Sequence, residues 1–174
     1  MKPTAPLQHL FDLGDLSQAG SEIVVEAGAE ALAGLAGWLG VDKVRRLRAL
    51  VNLKRLGSNR FAFAADLEAD VVQACVVTLE PVESHIARPV VRELHLAPKM
   101  PDEAGELTLS AGDDDAPETI TSLDYDLAVP LLEDLVLAID PYPRKEGAAF
   151  APLTDPESAP ESPFAVLKAL KDRE

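Results

Sequence analysis

Apolar and polar residues alternate along a long stretch in the first half of the chain. From Arg45 to Leu53 every second residue is apolar, and the alternation resumes from Phe61 to Val71. A Gly-Ser-Asn sequence separates the two runs. A repeat of two residues is typical of a strand with one buried face. A short turn between two such runs predicts an antiparallel hairpin.

The two runs fit one hairpin register. Folding the chain about Ser58 places Arg46 opposite Asp70. The same register places Arg48 opposite Glu68, so that both pairs lie on the solvent face. Opposite charges that face one another across a strand pair contribute about 0.2–1 kcal/mol each. We therefore expect the second strand to neutralise part of the positive charge of the first.

Further segments extend the sheet and add helices. Predicted strands lie near residues 21–25, 44–56, 60–78 and 82–96. The last of them contains Pro89, which cannot donate to a ladder and therefore favours an edge strand or a bulge. Apolar residues at helical spacing predict helices near residues 27–39 and 127–139. The expected fold class is α+β, with an antiparallel sheet covered by two helices, and the pattern leaves open whether the sheet curls into a barrel.

Capping residues and prolines set the ends of the second helix. Asp126 is the predicted N-cap of a helix that begins at Leu127. Pro130 marks an alternative start near residue 129, because proline favours the first helical position. Pro141 ends the helix, since its ring is incompatible with a helix interior.

A short helix is predicted at the C-terminus. Ser162 is the expected N-cap, and Pro163 occupies the first helical position. The apolar stripe of this helix consists of Phe164, Leu167 and Leu170. The predicted organisation is one α+β domain over residues 1–143, a proline-rich linker over residues 144–161 and a C-terminal helix over residues 162–174.

The composition agrees with one folded domain. The chain has 174 residues, of which 47% are apolar and 26% charged. A chain of this length buries about 70% of its unfolded surface. It has one cysteine, so no disulfide can form within the chain. Because the N-terminus lacks the apolar run of a signal peptide and no stretch approaches about 18 apolar residues, we expect a cytoplasmic protein without membrane association.

The charge is strongly negative but unevenly distributed. A net charge of −14 opposes binding to RNA, because affinity for phosphates comes largely from lysine and arginine. Residues 43–55 are nevertheless basic and contain no acid. We call their six cations the basic strip: Lys43, Arg45, Arg46, Arg48, Lys54 and Arg55. A solvated face paired with acids of the next strand is the favoured reading of the basic strip, and contact with RNA is the alternative.

Two acidic features are candidates for contact with a partner. The first is the run Asp113-Asp114-Asp115, which lies in a predicted exposed loop and lacks the alternating ligands of a calcium loop. The second is the pair Glu133-Asp134 within the second helix. Both features are predicted to contact a basic partner. For the helical pair, the alternatives are a polar helix face or a buried ion pair with an arginine.

The sequence contains no recognisable catalytic or metal-binding pattern. The nucleophile-elbow and zinc-protease motifs are missing, and the glycines of the first helix lack the spacing of a phosphate-binding loop. His9, His85 and His95 lack the spacing of metal ligands. Cys75 lies in an apolar predicted strand, where a thiol is usually inert. We therefore predict no catalytic residue, no metal and no cofactor.

Two segments near the C-terminus together resemble a known family. Residues 126–143 contain an Asp-Leu step, the acidic pair and closing prolines. Residues 162–171 read S-P-F-A-V-L-K-A-L-K. In this order, with a proline-rich spacer between them, the segments resemble the end of the YceD family, also called the large ribosomal RNA subunit accumulation proteins. Ser162 stands where that family has asparagine, and both side chains cap helices.

A third segment matches the family in part. The family's C-x-x-C-L-x-P pattern corresponds to residues 75–81, where Thr78 replaces the second cysteine. A tetrahedral zinc site needs four donors, which a lone thiolate does not supply. A metal role of the two-cysteine members is therefore not carried over to this chain.

The resemblance implies a function. It implies a cytoplasmic, non-catalytic factor that supports accumulation of large-subunit ribosomal RNA and ribosome assembly. Our hypothesis is that the acidic features bind a basic ribosomal protein or an rRNA-processing partner. Direct binding of pre-ribosomal RNA by the basic strip is the alternative, and a small-molecule-binding or hydrolytic domain is the third possibility.

Overall fold

Seven strands and two helices make up the described part of the chain. A computed structural model describes residues 5–97 and 117–149. The strands are β1 (Leu10–Asp12), β2 (Ser21–Glu26), β3 (Lys43–Arg55), β4 (Arg60–Ala74), β5 (Pro81–Leu96), β6 (Glu118–Ile120) and β7 (Asp124–Asp126). The helices are α1 (Ala29–Leu39) and α2 (Ala128–Ala138), and a short 3-10 helix spans Leu13–Asp15. The predicted α+β class is confirmed.

The main sheet has five strands in the order β2-β3-β4-β5-β6. Its neighbours are antiparallel except for β5 and β6, which are parallel. Strands β1 and β7 form a separate antiparallel pair. Within the described residues, β2 and β6 lie at opposite ends of the strand order, so this sheet is open and closure into a barrel is not confirmed.

The hairpin of β3 and β4 has the predicted register. Arg46 faces Asp70, and Arg48 faces Glu68. A bulge between Val44 and Arg46 shifts the pairing at the start of β3. Arg45 is the extra residue of this bulge, so Val44 is buried together with Leu47 although the two are three positions apart. The alternation of apolar residues therefore predicted both the strands and their alignment.

The predicted end of the second long strand was wrong. β4 ends at Ala74, four residues before the predicted position. The Cys75 N–H donates to the Glu80 carbonyl at 2.8 Å, and the Leu79 N–H donates to the Cys75 carbonyl at 2.9 Å. These bonds close a turn, with Leu79 in the left-handed conformation at a φ of 60°. The apolar residues after Cys75 favoured a strand, but Leu79 bonds within the turn and Val76 bonds to Pro143 of the segment after α2.

One face of the main sheet carries the hydrophobic core. Alternate residues of β3 and β4 point to this inner face and are buried, and the opposite residues form the outer face. Helix α1 packs against β3, and α2 packs against β4 and β5. Leu35 of α1 and Leu131 and Leu135 of α2 belong to the same core as the inner-face residues. The prediction that two helices cover the sheet is confirmed.

Asp126 joins the β1–β7 pair to the start of α2. Its Oδ1 atom accepts hydrogen bonds from the Ala128 N–H at 3.0 Å and from the His9 N–H at 2.8 Å. Helix α2 begins at Ala128, between the two starts predicted from the sequence. The preceding Tyr125 packs edge-on against Phe63 of β4, with ring centroids 6.4 Å apart. These contacts set the point at which α2 meets the sheet.

Several predictions fall partly or wholly outside the described residues. The acidic run Asp113–Asp115 and the C-terminal helix over residues 162–174 lie outside them, and the linker over residues 144–161 is described only as far as residue 149. Across residues 5–97 and 117–149, no helix combines the length and apolarity needed to cross a membrane.

Candidate functional site

Asp134 lies on the buried side of α2, between two arginines of β5. Its Oδ2 atom is 2.6 Å from the Arg92 guanidinium, and its Oδ1 atom is 3.2 Å from that of Arg88. The residue is only 5% exposed. A charge in such a position needs a partner, because removal from water is expensive. The ion pair therefore holds α2 against the sheet. For Asp134, this is the predicted alternative in which the acid forms a buried ion pair with an arginine.

The two arginines stand at unusual positions in β5. Arg88 and Arg92 face Leu67 and Phe63 of β4, which are buried on the inner face. Sequence reasoning did not single them out, although both share the strand period of the buried Val90. Two cations at apolar positions of one strand are the signal that predicts a buried acid opposite them.

Glu133 points away from the core. It is exposed, whereas its neighbour Asp134 is buried. The acidic pair is therefore divided between the two sides of α2. The predicted partner contact at Asp134 is untested, but its carboxylate already has two internal partners. Glu133 is the member of the pair that a partner can reach.

Tyr125 connects β7 to β6 beneath the same helix. Its hydroxyl donates a hydrogen bond to the Glu118 carboxylate at 3.0 Å. Burial raises the pKa of Tyr125 well above its usual range, and the negative charge of Glu118 raises it further. The hydroxyl therefore stays protonated and remains a donor. This bond strengthens the short parallel contact of β6 at the edge of the sheet.

Half of the basic strip is engaged in internal contacts. Arg45 forms a two-point ion pair with Glu83 of β5, at 2.5 and 3.0 Å. Arg46 faces Asp70 in the register, but its ion pair runs diagonally to Glu68 at 3.4 Å. These pairs are exposed, so each contributes little to stability. They nevertheless reduce the positive field that would attract RNA.

Arg55 is the third engaged member of the basic strip. Its guanidinium donates to the Leu13 carbonyl at 3.0 Å and lies over the Phe61 ring, 5.1 Å from the centroid. Cation–π and backbone contacts of this kind fix the side chain at the edge of the core. The role of Arg55 in the described residues is therefore packing.

The other three members have no ion pair within the described residues. They are Lys43, Arg48 and Lys54. Arg48 lies on the outer face between Glu26 of β2 and Glu68 of β4 in the register. A phosphate beside it would meet both acids. The basic strip is therefore a mixed-charge surface, although contact with RNA stays an untested alternative.

In the part of the chain that the structure describes, the outer face carries no Phe, Tyr or Trp. Phe61 and Phe63 of β4 point inward and are buried. Proteins that bind single-stranded RNA on a sheet stack bases on exposed aromatic rings. This sheet offers no exposed Phe, Tyr or Trp ring on β2, β3, β4 or β5, and its exposed rings are those of His85, which lies beside Asp70, and His95.

Cys75 occupies the turn after β4 and is buried, with its sulfur surrounded by donors. The Sγ atom accepts hydrogen bonds from the Lys145 N–H at 3.3 Å and the Thr78 N–H at 3.5 Å. The Lys145 bond, followed by the Thr78 side chain, lowers the pKa of Cys75 to about 6. Cys75 is buried as expected, but it lies in a turn and not in the predicted strand, and the two donors favour its thiolate form. Thr78, at the position that the resemblance gives to a second cysteine, is one of the two donors to Cys75.

The Cys75 thiolate has a measurable consequence. Because Cys75 is the only cysteine, its ultraviolet absorbance can be titrated directly. We expect a midpoint at a pH of about 6 in the folded protein and near the ordinary 9.0 in denaturant. The folded pKa is the lower one, so the thiolate's contribution to the unfolding free energy is complete above pH 9 and disappears as the pH falls through 6.

The matched control for this titration is Cys75→Ser. That variant should lack the absorbance change and the corresponding rise in unfolding free energy between pH 6 and 9. A folded-state midpoint near 9 in the unmodified protein would contradict the proposed stabilisation of the thiolate.

The segment after α2 is fastened to this turn. The Gln73 side chain donates to the Asp140 carbonyl at 2.9 Å, and the Val76 N–H donates to the Pro143 carbonyl at 2.9 Å. Further along, the Lys145 ammonium pairs with Glu80 at 3.0 Å. The chain thus leaves α2 along the β4–β5 turn, and hydrogen bonds and an ion pair hold it there as far as residue Lys145.

The described histidines have other neighbours. His85 is 2.6 Å from the Asp70 carboxylate on the outer face. His95 lies opposite Arg60 in the register. Within the described residues, no group of three or more His, Cys, Asp or Glu side chains is arranged to hold a metal ion. Cys75 and these two histidines do not form a cluster.

The described features define an α+β protein in which a helix is bonded to an open sheet through buried charge, and in which the turn after β4 holds a hydrogen-bonded cysteine. The family model described as large ribosomal RNA subunit accumulation protein YceD matches residues 63–171, more than half of the chain. The chain therefore belongs to this family. No curated protein and no solved structure matches it.

The matched range divides the candidate residues. It contains Cys75, Glu133, Asp134 and the run Asp113–Asp115. The basic strip precedes it and lies wholly outside the match. The family match thus covers the acidic features and not β3.

Proposed function

We propose that this protein supports accumulation of large-subunit ribosomal RNA as a non-catalytic binding factor. The family match over residues 63–171 carries this proposal. In our proposal, the protein acts by holding a basic ribosomal protein or an rRNA-processing partner. The exposed Glu133 and the run Asp113–Asp115 supply the contact. A cytoplasmic location follows from such a role in ribosome assembly.

The charge of the protein supports a protein partner over RNA. Its net charge of −14 repels a phosphate backbone but attracts a basic protein. Arg45 and Arg46 are paired with acids and Arg55 packs on Phe61, which leaves few cations for RNA. Electrostatic attraction of this kind speeds association and sets specificity.

A deletion strain tests the proposal. Cells that lack the gene should show less large-subunit rRNA relative to small-subunit rRNA in sucrose gradients, and the full chain should restore it. Normal subunit ratios would contradict the proposed function.

Charge variants separate the two modes of binding. Changing Asp113, Asp114 and Asp115 to asparagine should prevent restoration, because loss of three surface contacts of about 0.5 kcal/mol each weakens binding about tenfold. The matched control removes three exposed acids of the main sheet and should restore fully. Its changes are Glu22→Gln, Glu26→Gln and Asp66→Asn.

The RNA alternative rests on Lys43, Arg48 and Lys54, which have no ion pair within the described residues. Under this alternative, changing Arg48 and Lys54 to alanine abolishes restoration, and binding of purified protein to RNA falls steeply with salt. If the asparagine variant restores subunit ratios and this double variant does not, the RNA mode replaces the protein mode.

A further inference from the structure

Helix α2 is apolar on both of its sides, although only one side is covered. Val129, Val136 and Leu137 are exposed, with Leu137 at 77%. Val136 and Leu137 follow Val129 by seven and eight residues, which places all three on one side of the helix, with Glu133 between them. We call these four residues the outer side of α2. A helix that is apolar all round is normally buried, so the outer side is built to be covered.

The apolar surface continues beyond the end of the helix. Tyr142 follows α2 and is largely exposed. The bond between Val76 and Pro143 places this segment beside the β4–β5 turn, where Leu79 is also exposed. Elsewhere, the outward residues of β4 include Asp66, Glu68 and Asp70, which are suited to water. Other exposed apolar residues, such as Leu10, Val24, Leu56 and Val91, lie on other elements or loops, whereas α2 carries three of them on one side.

The C-terminal segment of the same chain has a matching apolar side. The sequence predicts a helix over residues 163–171 with Phe164, Leu167 and Leu170 on one stripe. A helix of about nine residues is marginal in water on its own, because nucleation is costly and few bonds follow it. Such a helix needs a surface to pack against. The family match also runs through this segment, to residue 171.

The described chain ends at a favourable place for such packing. The segment after α2 is held to the β4–β5 turn as far as Lys145 and is described to residue 149. The intervening residues 150–162 span at most about 45 Å when extended. Helix α2 is about 16 Å long. The extended linker is thus nearly three times as long as the helix.

The tether also favours this occupant over a second copy of the protein. A short linker gives an attached segment an effective concentration of about millimolar. A second copy at micromolar concentration would compete poorly. The outer side of α2 is therefore more readily filled from within the chain.

Charge sets the orientation of the segment. Lys168 and Lys171 follow Phe164 and Leu167 by four residues, so they flank the same stripe. Glu133 lies in the middle of the outer side of α2 and is exposed. An exposed pair adds little affinity, but it distinguishes one alignment from another.

We propose that residues 162–174 pack the Phe164, Leu167 and Leu170 stripe onto the outer side of α2 in the same chain. The proposal does not depend on the proposed function. It does have a consequence for it, since a basic partner that binds Glu133 must displace the lysines of this segment.

Hydrogen exchange on the full-length protein tests the packing. The amides of residues 164–170 should exchange about tenfold more slowly in the unmodified chain than in Leu137→Asp. The matched control is Val91→Asp, which places the same charge at a residue 68% exposed on the outer face of the sheet. It should leave the protection unchanged. Exchange of the β4 amides verifies that each variant is folded.

Charge reversal supplies a second readout. Glu133→Lys and Lys168→Glu should each reduce the protection of residues 164–170, and the two changes together should restore it. Absence of protection in the unmodified chain would overturn the proposal. So would equal losses in Leu137→Asp and Val91→Asp, or protection that depends on protein concentration, which would indicate a second copy.

Discussion

Replacing Asp134 with alanine should lower the unfolding free energy by about 3 kcal/mol. Replacing the adjacent Glu133 with alanine should change it by less than about 0.5 kcal/mol, because Glu133 is exposed. The difference arises because Asp134 is buried between Arg88 and Arg92. Two neighbouring acids of one helix thus differ in their expected effect on the unfolding free energy by a factor of at least about six.

The size of the effect follows from what remains after the change. Without the carboxylate, Arg88 and Arg92 would retain their charge near the core with no acid to balance it. Breaking a buried pair in this way costs about 3–5 kcal/mol. Both arginines are partly exposed, with side chains 38% and 31% accessible, so the lower end of that range applies.

Urea denaturation of the full-length protein measures this difference. The midpoint should fall for Asp134→Ala with little change in slope, and it should barely move for Glu133→Ala. A double-mutant cycle with Arg92→Ala isolates the energy of the pair. Asp134→Ala should lower the unfolding free energy less in the Arg92→Ala background than in the unmodified protein. Equal effects of the two acid replacements would show that Asp134 is not held as described.

The largest loss of stability is expected for Phe63→Ala, about 4 kcal/mol. Phe63 has no exposed surface and packs edge-on against Tyr125. Removing the ring leaves a cavity and ends an aromatic contact worth about 1 kcal/mol. Tyr125 lies just before α2, so the same change should loosen the start of that helix.

Val91→Ala is the control for this core replacement. Val91 belongs to β5 but is 68% exposed on the outer face, so its truncation should cost less than about 0.5 kcal/mol. Thermal or urea unfolding of both variants checks the contrast. A loss below about 1 kcal/mol for Phe63→Ala would mean that the inner face is not packed as described.

Both replacements act on the position of α2 and so bear on the proposed function. Glu133 and the outer side of α2 can meet a partner or the C-terminal segment only if the helix is correctly placed. Asp134 holds the helix from beneath, and Phe63 supports the residue that precedes it. The buried contacts thus position the outer side of α2 for binding.

The hairpin shows how far local sequence patterns reach. Alternation of apolar residues and a three-residue turn sufficed to predict that Arg46 faces Asp70. The same pattern did not predict that Arg46 would pair diagonally with Glu68, because side-chain conformations and competing partners decide such contacts. Asp70 instead lies beside His85, from a third strand.

The turn after β4 shows where local patterns fail. Apolar residues around Cys75 predicted a continuing strand. The chain reverses there instead, and the sulfur accepts a hydrogen bond from Lys145, 70 residues away. The conformational propensities of the turn residues do not predict this contact with Lys145.

The sequence by itself determined the strands of the hairpin, their register, the two covering helices and the resemblance to the family. These features depend on residue spacing and on bonds between near neighbours. Only the tertiary structure decided that Asp134 is an internal anchor and that Glu133 is exposed to solvent. The reason is that Arg92, which binds Asp134, lies 42 residues away in the chain. Layer packing brings such groups together, and in the low dielectric between layers a charge without its partner would be too costly to keep.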